Sequence, residues 1–110
     1  MARERERNVE AYLSKKLSKI GMQCYKVSAN NCVGLPDRLV TLPNGRCCWV
    51  ELKTDHGKLS LVQQLRHKEL RKAGQDVRVV WNKDEADRFV EEVGNILGSD
   101  EEESSLNPDA

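Results

Sequence analysis

No apolar run in this 110-residue chain approaches the roughly 20 residues that a membrane-spanning helix needs. The opening MARERERNVE also lacks the apolar segment of a secretory signal, so the expected location is the cytoplasm, with no membrane partner. The four cysteines, Cys24, Cys32, Cys47 and Cys48, form no C-x-x-C pair, and no histidine stands at zinc-finger spacing from them. They read as reduced thiols, at least two of them packing the core. Net charge is absent too, with 18 basic and 18 acidic residues, but the balance is uneven along the chain. Residues 99–110 hold five of the acids and no Lys or Arg, which leaves 13 acids against 18 bases, about +5, on the rest. A basic body is compatible with a nucleic-acid partner, and also with ordinary solubility.

What is present suits one domain over residues 1–98 followed by an acidic, disordered tail over 99–110, where the Ser, Glu and Asp residues bury too little apolar surface to fold. Asn8 to Ile20 reads as an amphipathic helix, with Val9, Tyr12, Leu13, Leu17 and Ile20 on one stripe and Gly21 as its stop. Glu10 falls on or beside that stripe, which leaves it either an edge carboxylate reaching water or a lysine, or a site acid. Arg3, Arg5 and Arg7 form a solvated extension. Met22 to Ser28 reads as a strand, followed by an Asn-rich loop to Gly34 and then two strands joined by a turn at Leu42 to Arg46. After Thr54 to Lys58, a second helix is expected from Ser60 to Lys72, and Ser60 with Gln63 matches an S-x-x-Q capping box. Leu59, Val62, Leu65 or Arg66, Glu69 and Leu70 give it an incomplete stripe for one sheet face. His67, alone on this helix, is read as a surface or packing residue. Asp76 to Trp81 is a β-branched strand, and the helix before it predicts a parallel right-handed crossover. A third helix covers Lys83 to Leu97, which completes the order α-β-β-β-α-β-α without an internal repeat.

The stretch from Gly34 to Lys53 contains the unusual chemistry. Strand periodicity puts Glu51 and Lys53 on one face of an apolar strand and Leu52 on the other. Buried charges need partners or a metal. Whether Asp37 joins them depends on the turn. A two-residue Asn44-Gly45 loop sets Asp37 opposite Leu52, on the wrong face. A three-residue Pro43-Asn44-Gly45 loop, a type I turn followed by a left-handed glycine, pairs Leu42 with Arg46 and sets Asp37 opposite Glu51. Proline suits the first central position and glycine the left-handed one, so the second register is preferred. Directly opposed side chains lie about 5 Å apart. Two carboxylates that close repel, and a divalent cation relieves the repulsion.

Gly34-Leu-Pro-Asp37 followed by Glu51-Leu-Lys53 resembles the catalytic pattern of the PD-(D/E)xK nuclease superfamily. The run Gly57-Lys-Leu-Ser60-Leu-Val-Gln63, then His67, Leu70 and Gly74, resembles more narrowly its VRR-NUC branch, over roughly Val9 to Ala86. Leu61 stands where that family commonly has proline. The resemblance implies an α/β, restriction-endonuclease-like core with a mixed central sheet flanked by helices. It implies Mg²⁺ or Mn²⁺ held by Asp37, Glu51 and the backbone carbonyl of Leu52, with Glu10, the first-helix acid, joining through water. Lys53 would orient the attacking water and Gln63 would position Lys53 or the phosphate, giving catalytic residues Glu10, Asp37, Glu51, Lys53 and Gln63. Lys58 and Arg38 are the expected DNA contacts. The implied activity is phosphodiester hydrolysis in branched DNA by a homodimer resolving four-way (Holliday) junctions. The alternatives are a flap or nicking nuclease, or a non-catalytic DNA-binding accessory protein.

Overall fold

The computed structural model describes residues 6–28, 31–54 and 56–106. Arg3 and Arg5 of the expected extension, Ala29 and Asn30 of the polar loop, Asp55, and the tail from Asn107 lie outside the described residues. The elements are α1 (Glu6–Lys19), β1 (Gln23–Lys26), β2 (Arg38–Thr41), a 3₁₀ turn (Pro43–Gly45), β3 (Cys47–Leu52), α2 (Leu61–Lys72), β4 (Val77–Val80) and α3 (Lys83–Leu106). This is the expected α-β-β-β-α-β-α order. The sheet runs β1-β2-β3-β4, antiparallel at its first two pairings and parallel between β3 and β4. Among the described residues no helix is long and apolar enough to cross a membrane.

Strand alternation assigns the layers. Val40, Cys48, Val50 and Leu52 face one way and pack with Val9, Leu13 and Leu17 of α1 and with Ala86, Phe89 and Val93 of α3. This is the core, and burial within it pushes the Cys48 thiol up to about 12. Glu51 points the other way and meets His67 of α2, so α2 covers the opposite face.

Three features differ from expectation. β1 starts at Gln23 because Met22 belongs to the end of α1: its N–H donates to Leu17 O at 3.0 Å, across Gly21 at φ +78°. That left-handed glycine lets the helix close on itself. α3 passes Gly98 and reaches Leu106, so helical backbone enters the segment expected to be a disordered tail. Glycine inside a helix costs about 1 kcal/mol relative to alanine without ending it, and the Glu run that follows favours helix. Finally, α2 is rotated from the expected stripe. Val62, Leu65 and Glu69 are exposed, while Gln63, Arg66, His67 and Leu70 face inward at i, i+3, i+4 and i+7. Only His67 on this helix is buried.

Candidate active site

The turn between β2 and β3 is the three-residue one. Leu42 N–H donates to Arg46 O at 2.9 Å, the 3₁₀ turn spans Pro43–Gly45, and Gly45 has φ +77°. Arg38 pairs with Val50 and Val40 with Cys48. One step further along this register, Asp37 stands opposite Glu51. Its Oδ2 accepts the backbone N–H of Leu52 at 3.1 Å, which holds the carboxylate over the end of β3. Its backbone oxygen accepts Val27 N–H at 2.8 Å, which fastens the same residue to the strand on its other side.

Glu51 is 1% exposed. Its Oε2 lies 3.9 Å from Lys53 Nζ and its Oε1 lies 3.6 Å from His67 Nε2. The expected trio of Asp37, Glu51 and Lys53 is thus gathered at the ends of β2 and β3, with His67 added from α2. Burial holds the His67 imidazole below its ordinary pKa of 6.5, aided by the positive charge of Arg71 and opposed by Asp37. The ring is therefore neutral near neutral pH.

Glu10 approaches from the core side of the sheet, where its carboxylate pairs with the guanidinium of Arg38. Arg38 alternates with Val40, so it turns inward and is 7% exposed. A cavity of about 200 Å³ lies between, lined by Glu10, Lys26, Val27, Asp37, Arg38 and Leu52. Two carboxylates and two cations face this space. Among the described residues no group of three or more His, Cys, Asp or Glu side chains is gathered closely enough to hold a metal ion. Glu51 and Glu10 reach the strand ends from opposite faces, which explains why the acids do not form one cluster.

Gln63 takes part in the capping box: Ser60 N–H donates to its Oε1 at 2.8 Å, and Gln63 N–H donates to Ser60 Oγ at 3.1 Å. The amide NH₂ is the part of the side chain this box does not use. Lys58 is exposed on the loop between β3 and α2. Gly34, in the GLPD run, has φ +94°, and a Cβ there would lie 2.8 Å from Val62 O. Only glycine permits this approach, which joins the loop before Asp37 to the first turn of α2. Arg66 reinforces the junction by donating from Nε to Val33 O at 3.2 Å.

No protein-family model matches the chain. A curated phage protein, "Putative nuclease p44" of Acyrthosiphon pisum secondary endosymbiont phage 1, is 38% identical over 80 residues, covering 73% of this chain and 86% of that protein. A solved structure described as "VRR_NUC domain" matches with a TM-score of 0.73 and 32% identity, over 78% of this chain and 94% of its own. The chain belongs to the VRR_NUC family. Membership supports a nuclease function and fits the PD-(D/E)xK-like superfamily, and Asp37 and the Glu51-Leu52-Lys53 triplet occupy the strand ends of this VRR_NUC fold. His67, read from the sequence as a surface or packing residue although it belongs to the run that resembles the family, is buried beside Glu51. Its signal is its position one turn after Gln63, on an inner face that Leu70 shares with polar residues.

Proposed function

We propose that this VRR_NUC protein is a Mg²⁺- or Mn²⁺-dependent, structure-selective DNA endonuclease that acts in the cytoplasm as a homodimer and resolves four-way junctions. The observation that carries the reading is the register, which sets Asp37 opposite Glu51 with the Lys53 ammonium 3.9 Å from the latter. The donors fit the ion. Magnesium takes oxygen ligands and commonly needs only one or two carboxylates, with waters and substrate phosphate completing the shell. Asp37, Glu51 and the Leu52 carbonyl would hold it, and Glu10 would join through water on release from Arg38. Bound there, the ion supplies a Lewis acid and makes water a stronger nucleophile at neutral pH.

The chain's own groups do the rest. The Leu52 N–H keeps the Asp37 carboxylate from rotating. Lys53 orients the attacking water and offsets negative charge developing on the phosphate. The free amide end of Gln63 positions Lys53 or the phosphate while Ser60 still caps α2. Lys26, beside Asp37, and Lys58, on its loop, can meet phosphate oxygens, whereas Arg38, buried and paired with Glu10, would do so only on parting from that carboxylate; such contacts place a duplex without reading its sequence, which suits selection by shape. Two symmetric cuts on a junction require two such sites, hence the dimer.

The test is cleavage of labelled four-way, flap and linear duplexes in Mg²⁺, Mn²⁺ or EDTA by the native protein and by Asp37→Ala. Paired symmetric nicks on the junction, abolished by EDTA and by Asp37→Ala while junction binding persists, are expected. The activity loss is at least about 10²- to 10³-fold, the scale of removing one electrostatic stabiliser of a transition state. Cutting only flaps would replace junction resolution with flap cleavage, and cleavage surviving in Asp37→Ala would remove the mechanism.

A further inference from the structure

His67 is 1% exposed, and within the described residues neither Nδ1 nor Nε2 has a hydrogen-bond partner. A buried polar group in that condition calls for a reason. Packing alone is a poor one, because α2 leaves Leu61, Val62 and Leu65 exposed, at 71%, 43% and 55%, while turning a histidine inward. The helix is docked instead by specific contacts: Gly34 against Val62, Arg66 to Val33 O, and Arg71 Nη2 donating to Val77 O at 2.9 Å. These fix where the imidazole stands. Its Nε2 faces Oε1 of Glu51 at 3.6 Å, roughly half an ångström beyond hydrogen-bond length.

We propose that His67 is a positioning residue for Glu51: its Nε2–H donates to Oε1, fixes the rotation of that carboxylate, and leaves Oε2, beside Lys53, to face the divalent ion. The inference rests on the metal-dependent reading above and extends it to a residue that touches neither ion nor substrate. A neutral donor is the right chemistry. A second cation in this place would add to the positive charge that Lys53 already sets beside Glu51, whereas an imidazole with one proton orients the carboxylate without adding charge. The carboxylate acceptor selects the Nε2-protonated tautomer.

Two measurements on the full chain test this. Long-range ¹H–¹⁵N correlation spectra of the metal-free protein should show His67, assigned by its loss in His67→Gln, as the Nε2–H tautomer, with an Nε2 shift that moves in Glu51→Gln. An Nδ1–H tautomer, or a shift indifferent to Glu51, overturns the proposal. Mn²⁺ titration followed by electron paramagnetic resonance should then show His67→Leu binding about 10- to 100-fold more weakly than the native chain, the usual scale for losing the partner of a metal ligand. His67→Gln, which keeps a donor, should recover part of that loss. Equal Mn²⁺ affinity in native and His67→Leu proteins of matched circular dichroism, or equal loss in Leu and Gln variants, overturns it. If the native chain binds no Mn²⁺ while the tautomer and its dependence on Glu51 are as expected, the His67–Glu51 contact stands and the metal-dependent reading falls.

Discussion

On the sheet face that meets α1 and α3, β2 and β3 present Val40, Cys48, Val50 and Leu52, all buried among aliphatic and aromatic neighbours. On the face that meets α2, the ends of the same strands present Asp37 and Glu51, with Lys53 one residue beyond. Neighbouring residues on one backbone therefore serve different ends. Burial on the first face holds the fold through non-directional contacts, and the charge it admits, Arg38, is paired with Glu10 at the strand end. The second face carries charge because its covering helix is attached by a glycine contact and arginine-to-carbonyl hydrogen bonds, and asks little of apolar packing. Strand alternation separates stability from chemistry without needing two domains.

The separation can be tested from its strongest side to its weakest. Leu13, fully buried on the first face, should cost about 2–5 kcal/mol when cut to alanine. Thermal melting should register the whole effect, and nuclease activity per folded molecule should match the native protein. A variant as stable as the native chain but slow in cleavage would break the separation. Gly34→Ala sharpens it at the junction of the two regions. A residue forced to φ +94° with its Cβ 2.8 Å from Val62 O should lose about 1–3 kcal/mol, and the loop carrying Asp37 must move off α2. Cleavage measured well below the melting temperature should therefore fall while the circular dichroism of the sheet and helices stays native. Leu65→Gln marks the quiet end. Leu65 is 55% exposed on the outer side of α2, so the melting free energy should change by no more than about 0.5 kcal/mol and cleavage should be unaltered. A larger change in either would show that this surface contributes to the fold or the site.

Local chemistry made part of this legible in the sequence. Pro43, Asn44 and Gly45 specify a turn type, the turn type specifies the register, and the register aligns Asp37 with Glu51. Ser60 and Gln63 announced the start of α2, and the crossover helix announced that β3 and β4 run parallel. Other features depend on contacts distant in the chain. Arg38 follows the aspartate at a strand start, where an arginine ordinarily reaches solvent; only the placement of α1 turns it inward to Glu10. His67 was hidden by the assumption that a helix covers a sheet with its apolar residues, whereas the exposed Leu61, Val62 and Leu65 lie off the inner face. The extent of α3 does not follow from composition: the Ser-, Glu- and Asp-rich residues after Gly98 bury little apolar surface, yet helical backbone continues through them to Leu106.

The Pro43–Gly45 turn lies at the opposite end of the hairpin from Asp37 and carries none of the proposed catalytic groups. Yet it sets an odd or even count. One residue added or removed there, unless absorbed as a bulge, turns Asp37 toward the other side of the sheet while every apolar residue of β3 keeps its place. A change of a single codon in this turn can thus silence the site from a distance, and it turns Val40 out of the core at the same time, whereas many substitutions of the turn's side chains that keep its length should pass without effect on the site.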